Sequence, residues 1–592
     1  MIQELVALSR KLPKGPLAHD SLDNVPITID CVIDKKGNFK RFVAHEKQLT
    51  LAERISAKKG KARLLVDKAE EVLGFGKNAK KKHKLFRDKL NVYKHLNNLS
   101  SVVSFYDSNR TNGVDKARRA FPKEVEEKQR QGNIAFLRGR ESNRLHEQQA
   151  IYDAIIEQYD ASLTKIKDAR FGRCSICGSS SYPVADIPHG MIKRVPDGQT
   201  SGCALVSYND NPYESYGFKG NENSSICTRC AKSYVDALNW LLAPHSWKTS
   251  DKKGKNIPIF KNRKDISKDT AVVFWLRDAL ETTLLDLLDE PNEDNIRAMF
   301  DSVFDGKQSV IKHVESDRFY AITLSGSAAR IAVRDWIETS LDNLRSNLAQ
   351  WFQDIELARY NPDEKKLTMH YPRYSTLVWN VKSKGANVVQ HGRIGAVLWK
   401  CAVMGHSPPL WLLNAVLNRI RAEQSAKPDE GKKRSPWEYK LPDRIALLKL
   451  YLNRTTNNKE RIKYMATLDK TNPNTAYICG EIFAVLESIQ YFAMGSNINA
   501  GIRERFFSFA STMPSMAFGR LMKLTQHHLS KIRGENTGLA INLDKKLGEL
   551  ISRVEGSRFP AVFSLEDQAS FAIGYYHQRQ KDFQTTSNNK EN

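Results

Sequence analysis

The sequence lacks any apolar run near the roughly 18 residues needed to span a bilayer; the longest, about residues 271–276, is far shorter. Residues 1–12 carry no long apolar core of the secretory type, so a cytoplasmic protein with no membrane partner is expected. Without a secretory context, the eight cysteines are expected to be reduced thiols or metal ligands rather than disulfides. There is no G-x-x-x-x-G-K-[ST] phosphate loop and no H-E-x-x-H pair. His19-Asp20 is a lone dipeptide without further ligands nearby, which leaves an HD-type metal nuclease weakly supported. Negative charge is also scarce, with 67 acidic against 92 basic residues and a net charge of +25. So much uncompensated charge points to a polyanionic partner.

Apolar residues form 41% and aromatics 9% of 592 residues, enough for packed cores in several domains. The expected class is α+β and multidomain. A mixed N-terminal domain occupies 1–170, a zinc-knuckle subdomain 171–247, a mostly helical middle region 248–455 and a helical bundle 456–592. Near the start, a short amphipathic helix should precede a hairpin of strands at 26–33 and 39–44 around the turn Asp34-Lys35-Lys36-Gly37-Asn38. Residues 77–94 form a basic run containing Phe86 and Tyr93. Residues 120–169 read as helical, 248–268 as a linker or exposed loop, and the chain from about 270 as mostly helical. Apolar spacing predicts a helix over 335–357, and 424–438 reads as another exposed connection. Three amphipathic helices follow, over 479–494, over 517–533, and from the capping box Ser564-Leu565-Glu566-Asp567 to about Phe583. The tail from Thr585 is expected to be disordered.

Cys174-Ser175-Ile176-Cys177 and Cys227-Thr228-Arg229-Cys230 are two C-x-x-C pairs. Two intervening residues let both sulfurs of a pair reach one ion, and four thiolates suit tetrahedral zinc. Four protein ligands leave no open position, so the expected zinc is structural. Gly178 fits the tight turn of a knuckle. Residues 178–226 exceed the usual spacing between such pairs, which implies a subdomain closed at its base by the metal. Two unrelated pairs of buried cysteines, or a redox C-x-x-C, are the alternatives. Cys31, Cys203, Cys401 and Cys479 are isolated and read as core. Between the pairs lies a loop rich in amides, hydroxyls and tyrosines, able to contact phosphates, base edges and base faces or to close on itself as an Asx-turn loop.

Several short motifs in order along the chain resemble the large subunit of the type I-C CRISPR surveillance complex, Cascade. They are Leu65-Val66-Asp67 with Leu73-Gly74, Gln199-Thr200-Ser201-Gly202, Leu205-Val206-Ser207-Tyr208-Asn209, Glu214-Ser215-Tyr216-Gly217, and Ala237-Leu238-Asn239 with Leu241-Leu242. Further along come Val272-Val273-Phe274-Trp275, Arg330-Ile331-Ala332-Val333-Arg334-Asp335-Trp336, Asn499-Ala500 and Gly574-Tyr575-Tyr576-His577-Gln578. Many members of that family have a small-residue segment where this chain has residues 225–230. The zinc assignment therefore stands on cysteine spacing, not on the resemblance.

The resemblance implies a subunit that catalyses nothing. It would check a short T-rich motif (PAM) beside the target in double-stranded DNA, help part the duplex and hold the displaced strand. The guide RNA reads sequence, and a separate helicase-nuclease is recruited to cut. The other implied partners are the backbone, handle-binding and small subunits. On this reading Gln199, Ser207, Asn209, Ser215, Tyr216, Lys219 and Asn221 contact the motif duplex. Lys80, Lys81, Lys82 and Lys84 contact phosphates or form a solvated face. Arg330 and Arg334, four apart on an expected helix, grip RNA or a neighbouring subunit, or form an internal ion pair with Asp335 or Glu338. Lys523, His527 and Lys531 form one helical stripe for single-stranded DNA. In this family the bundle is also made separately from an internal start, here expected at Met465. The competing readings are a zinc-dependent nucleic-acid enzyme and a zinc-ribbon RNA-binding protein.

Overall fold

A computed structural model describes residues 1–12, 21–55, 62–76, 79–139, 141, 143–163, 169–208, 210–214, 216–249, 256–278, 284–304, 317–382, 388–428, 435–455, 462–495, 500–554, 556 and 558–588. The chain is α+β and divides into two compact units, 1–260 with 326–332 and 261–325 with 333–592.

In the first unit, helix α1 (Ile2–Ser9) precedes strands β1 (Leu22–Ile33) and β2 (Phe39–Glu53), an antiparallel hairpin with Cys31 opposite Phe42. The expected turn forms because the Asp34 carboxylate accepts from the N–H groups of Lys36 and Asn38, each at 2.9 Å. Next come β3 (Val66–Lys68), α2 (Ala69–Val72), α3 (Ala79–Val92), α4 (Ser100–Tyr106), α5 (Gly113–Glu124), β4 (Asn133–Arg138) and α6 (Gln149–Leu163). Strand β4 runs parallel to β1, with Phe136 beside Cys31, and the sheet order is β2-β1-β4-β3. A parallel pair needs a crossover, which residues 34–132 supply. Cys31, Phe42, Phe86, Phe105, Phe121 and Phe136 share one core. The region 120–169, expected to be helical, thus contains a central strand. Its apolar run is only a few residues long and is bracketed by Gly132 and Gly139, a length that periodicity cannot assign.

Helix α7 (Thr228–Leu242) packs against α1. The expected linker after it is instead a two-stranded ribbon of β5 (Ser246–Thr249) and β6 (Asn256–Ile259), Trp247 opposite Pro258. The two short strands pair here in spite of Pro258 within β6.

The second unit opens with β7 (Arg263–Asp265), β8 (Thr270–Leu276), α8 (Glu293–Phe304), β9 (Arg318–Ser327) and β10 (Arg330–Ser340), in sheet order β10-β9-β8-β7. The mostly helical expectation from 270 therefore fails over this stretch. Every residue of β8 is buried, and such a run has no alternation to betray a strand. Helix α9 (Leu341–Ile355) starts later than predicted, where the Ser340 hydroxyl accepts from the Asn343 N–H at 3.1 Å. Asp335 and Trp336 belong to β10, and Trp336 stacks on Tyr320 with ring centroids 5.5 Å apart.

The remainder is β11 (Leu357–Asn361), β12 (Lys366–His370), then α10 (Tyr374–Val381), α11 (Val388–Met404), α12 (Leu410–Glu423), α13 (Pro436–Thr455), α14 (Thr475–Met494), α15 (Ile502–Ala510), α16 (Pro514–Glu535), α17 (Thr537–Ser552) and α18 (Leu565–Asn588). Helices α14, α16 and α18 are the three predicted ones. The Ser564 hydroxyl accepts from the Asp567 N–H and the Asp567 carboxylate from the Ser564 N–H, each at 3.1 Å. Helix α18 continues through Thr585, correcting the disordered tail over 585–588; Phe583 lies against Tyr360 with centroids 6.4 Å apart. Glycine lets α14 and α18 cross closely: a Cβ on Gly480 would strike the Phe571 carbonyl oxygen, and one on Gly574 would strike that of Tyr477. One core runs from Ile266 to Tyr576, and Met465 sits exposed between buried Tyr464 and Ala466. The four isolated cysteines are buried, as expected.

Candidate metal centre and nucleic-acid interface

The metal centre begins with local backbone chemistry. Cys227 precedes the first residue of α7 and Cys230 lies in its first turn, where unpaired N–H groups and the helix dipole favour thiolates. Gly178 adopts φ +73°, and its N–H bonds to the Cys174 carbonyl at 2.9 Å, closing the knuckle. The backbone N–H groups of Ile176 and Cys227 both point at Cys174 Sγ, at 3.4 Å. The base of the subdomain is tied by Ala185 N–H to the Ile226 carbonyl at 2.8 Å and by Thr228 N–H to the Pro183 carbonyl at 2.9 Å.

The result brings together all four predicted ligands. The sulfurs of Cys174, Cys177, Cys227 and Cys230 lie within 4.8 Å of one another, with Cys177 Sγ 3.8 Å from Cys227 Sγ. Cys177 is exposed and the other three are buried. A hydrogen bond from the Cys230 thiol outweighs burial and holds the Cys227 thiol below its ordinary pKa. Four soft donors converging on one point fit a tetrahedral d10 ion, and four ligands complete its shell.

Within this clamp the loop is anchored on one side. Ile192 pairs with Cys203, and Asn239 of α7 accepts from Lys193 N–H at 2.8 Å while its amide donates to the Met191 carbonyl at 3.2 Å. The tip of the β9–β10 hairpin belongs to this unit and adds two bridges, Gly198 to Ala328 and Ala204 to Arg330. The Gln199 N–H bonds to the Ala328 carbonyl at 3.3 Å and its side chain is exposed. Ser207 and Asn221 are half-buried, and the Asn221 carbonyl accepts from Ser224 N–H at 3.2 Å. Asn209 and Ser215 lie outside the described residues. Tyr216 is 97% exposed, at φ +55°, next to Phe218 at 48% and the exposed Lys219. Chain reversal at Tyr216 and Gly217 turns the phenol out of the loop.

Arg330 and Arg334 stand on strand β10, not on a helix; four residues apart, they share a face of a strand as well. Arg330 stacks on Tyr213 at 4.7 Å, donates to its hydroxyl, and pairs with Asp210 at 3.1 Å. The internal pair exists, with an acid from the loop; Asp335 and Glu338 pair instead with Lys400 and Arg318. Arg334 is exposed and donates to the Ser325 hydroxyl at 2.8 Å. Sequence reasoning missed Asp210 and Tyr213 as the seat of Arg330. It also missed Trp247, 61% exposed on the β5–β6 ribbon beside Lys248. The lone tryptophan in a lysine-rich stretch was the available signal.

The basic run forms α3, with Phe86 and Leu90 buried. Lys80, Lys81 and Lys84 are exposed and pair with no acid among the described residues. Lys82 differs: it is held by Glu70 and Glu71. On α16, Lys523, His527 and Lys531 are exposed along one stripe, while Phe518, Leu521, Thr525 and Ile532 face inward.

These features define an α+β protein with a four-cysteine cluster that could hold a metal ion and with exposed lysine faces. The family of CRISPR-associated proteins described as CRISPR-associated protein (Cas_Csd1) matches residues 6–583. The chain belongs to this family, that of the type I-C Cascade large subunit. No curated protein matches it. Among the described residues, no helix is long and apolar enough to cross a membrane.

Proposed function

We propose that the protein is the non-catalytic large subunit that recognises the target-adjacent motif in double-stranded DNA, promotes duplex opening and supports recruitment of the helicase-nuclease, in the cytoplasm of a prokaryote. The observation that carries this reading is the clamped loop: a cysteine knuckle holds both ends of a segment that presents Tyr216, Phe218 and Lys219 to solvent. A nearly naked phenol on a restrained loop can wedge or stack, while Gln199 and Asn221 amides suit base edges. Structural zinc would fix the loop's base. Lys80, Lys81 and Lys84 would supply phosphate contacts, the α16 stripe would track the displaced strand, and Arg330 would set the loop's pose.

The assay is binding of the assembled complex to duplexes with the correct and an altered motif. Gln199→Ala, Tyr216→Ala and Lys219→Ala should narrow discrimination by about 1–3 kcal/mol for a lost base contact. Unchanged discrimination in all three refutes the assignment. DNA cleavage by the purified chain with magnesium or manganese would overturn the non-catalytic reading. A start at Met465 would yield a fragment of α14–α18; a single full-length species from the native gene rejects it.

A further inference from the structure

We propose that a pocket in the second unit, between α14, α17, α18 and the segment before α14, binds a nucleotide whose base carries an exocyclic amine. This rests on the reading of the protein as a nucleic-acid-binding subunit and adds a base-selective site to it. The pocket has a volume of about 410 Å³, enough for one nucleotide, and all its walls belong to one unit.

Its chemistry is two-sided. Glu481 is 1% exposed and lines the pocket. Arg553 Nη1 donates to its Oε2 at 3.1 Å, but Oε1 has no hydrogen-bond partner among the described residues. A buried carboxylate oxygen without a donor is unfavourable and calls for an N–H or O–H from an occupant. Lysines stand around it. Lys546 is committed to Asp582, to which Gln578 also donates at 2.7 Å. Lys470 and Lys545 are exposed, line the same pocket, and pair with no acid among the described residues. A ligand that brings a donor to Glu481 and an anion to Lys470 and Lys545 completes both halves, and a nucleotide does so through its base amine and its phosphate. Cytosine, adenine and guanine carry such an amine. Thymine offers only an N–H flanked by two carbonyls, which a carboxylate repels.

The test uses the full chain and fluorescence-detected competition with dCMP, dTMP and the octamers of dC and dT. The cytosine probe should bind about tenfold more tightly than its thymine counterpart, the ratio one charge-assisted hydrogen bond supplies. Glu481→Gln should collapse that ratio to about twofold or less while Arg553 keeps a partner. A double Lys470→Ala/Lys545→Ala variant, altered only on the surface, should weaken both probes and leave the discrimination between correct and altered motif duplexes unchanged. A preference shown by dCMP assigns the ligand as a free nucleotide; one shown only by the octamer assigns it as an unpaired base in a strand. Equal affinity for the cytosine and thymine probes, or wild-type binding by the lysine double variant, overturns the proposal, and a water molecule then satisfies Glu481. A chain without cytosine preference whose assembled complex still discriminates the motif duplexes defeats the pocket alone; an assembled complex that does not discriminate them defeats the function proposed above.

Discussion

Replacing Cys227 by Ser removes one of the two ligands at the start of α7 and leaves a three-sulfur site, and its effect can be worked out from the fold. With metal, residues 178–226 are a loop closed at its base; without it, closure rests on a handful of hydrogen bonds, such as Ala185 to Ile226, Asn239 to Lys193 and His189 to Tyr234, and on modest apolar packing. Holding together the ends of a loop of about 50 residues costs about 3.5 kcal/mol of chain entropy, more than those bonds contribute net. A structural zinc site supplies about 10–16 kcal/mol, ample to hold it. Yet α7 buries Tyr234, Leu238, Leu241 and Leu242 independently of the sulfurs. The expected outcome is thus local: loss of about one zinc per chain by elemental analysis, rapid proteolysis within 178–226, and α7 and the N-terminal sheet retained. Chelation of the wild type should reproduce the pattern. A chain that purifies without metal, or a Cys227→Ser variant as protease-resistant as the wild type, would refute the account.

Three further outcomes are expected. Gly480→Ala and Gly574→Ala should each lower the thermal stability of the second unit by about 1–3 kcal/mol or more, because the added methyl meets backbone carbonyls across the α14–α18 crossing; scanning calorimetry reads this, and an unchanged transition would mean the helices part freely. Replacing Lys80, Lys81 and Lys84 together by Ala should flatten the log–log salt dependence of DNA binding by up to about 0.9 per lost contact. Lys82→Ala should leave the slope intact, since Glu70 and Glu71 hold that lysine. Partial burial pushes the Asp34 carboxyl up, but the Asn38 amide and N–H, Lys40 and the Lys36 N–H outweigh it and bring the pKa down to about 2. Its folded value lies below the unfolded one, so its support of the β1–β2 turn is complete above about pH 4 and is lost as pH falls through about 2. Asp34→Ala should remove that acid-dependent component, followed by circular dichroism between pH 2 and 4.

The sequence was most legible where chemistry is dense and local. Two C-x-x-C pairs predicted a cluster because thiols have few alternative reasons to sit at that spacing. Asp34 and Ser564 marked a turn and a helix start because their oxygens satisfy identifiable N–H groups. Helices α14, α16 and α18 were legible from apolar periodicity. Strands β4, β8 and β10 were not. The apolar run of β4 is too short for periodicity to assign, and β8 is buried on both faces, so its apolar residues occur at every position rather than alternate. Arg330 shows the same limit for sites. Its residue type and spacing suggested a gripping role, whereas its partners, Asp210 and Tyr213, come from a stretch over a hundred residues away in sequence. Only tertiary pairing reveals them.

The β9–β10 tip has a consequence for synthesis. Residues 326–332 complete a unit whose other residues end at 260, so a nascent chain that has released its cysteine module still lacks the bridges to Gly198 and Ala204. At about 5–20 residues per second, the missing piece leaves the ribosome on the order of ten seconds later. For that interval the amide-rich loop is held by its cysteine base and by its bonds to α7, such as those of Asn239, without the hairpin tip, and a protein truncated at residue 260 would lack that second support for good.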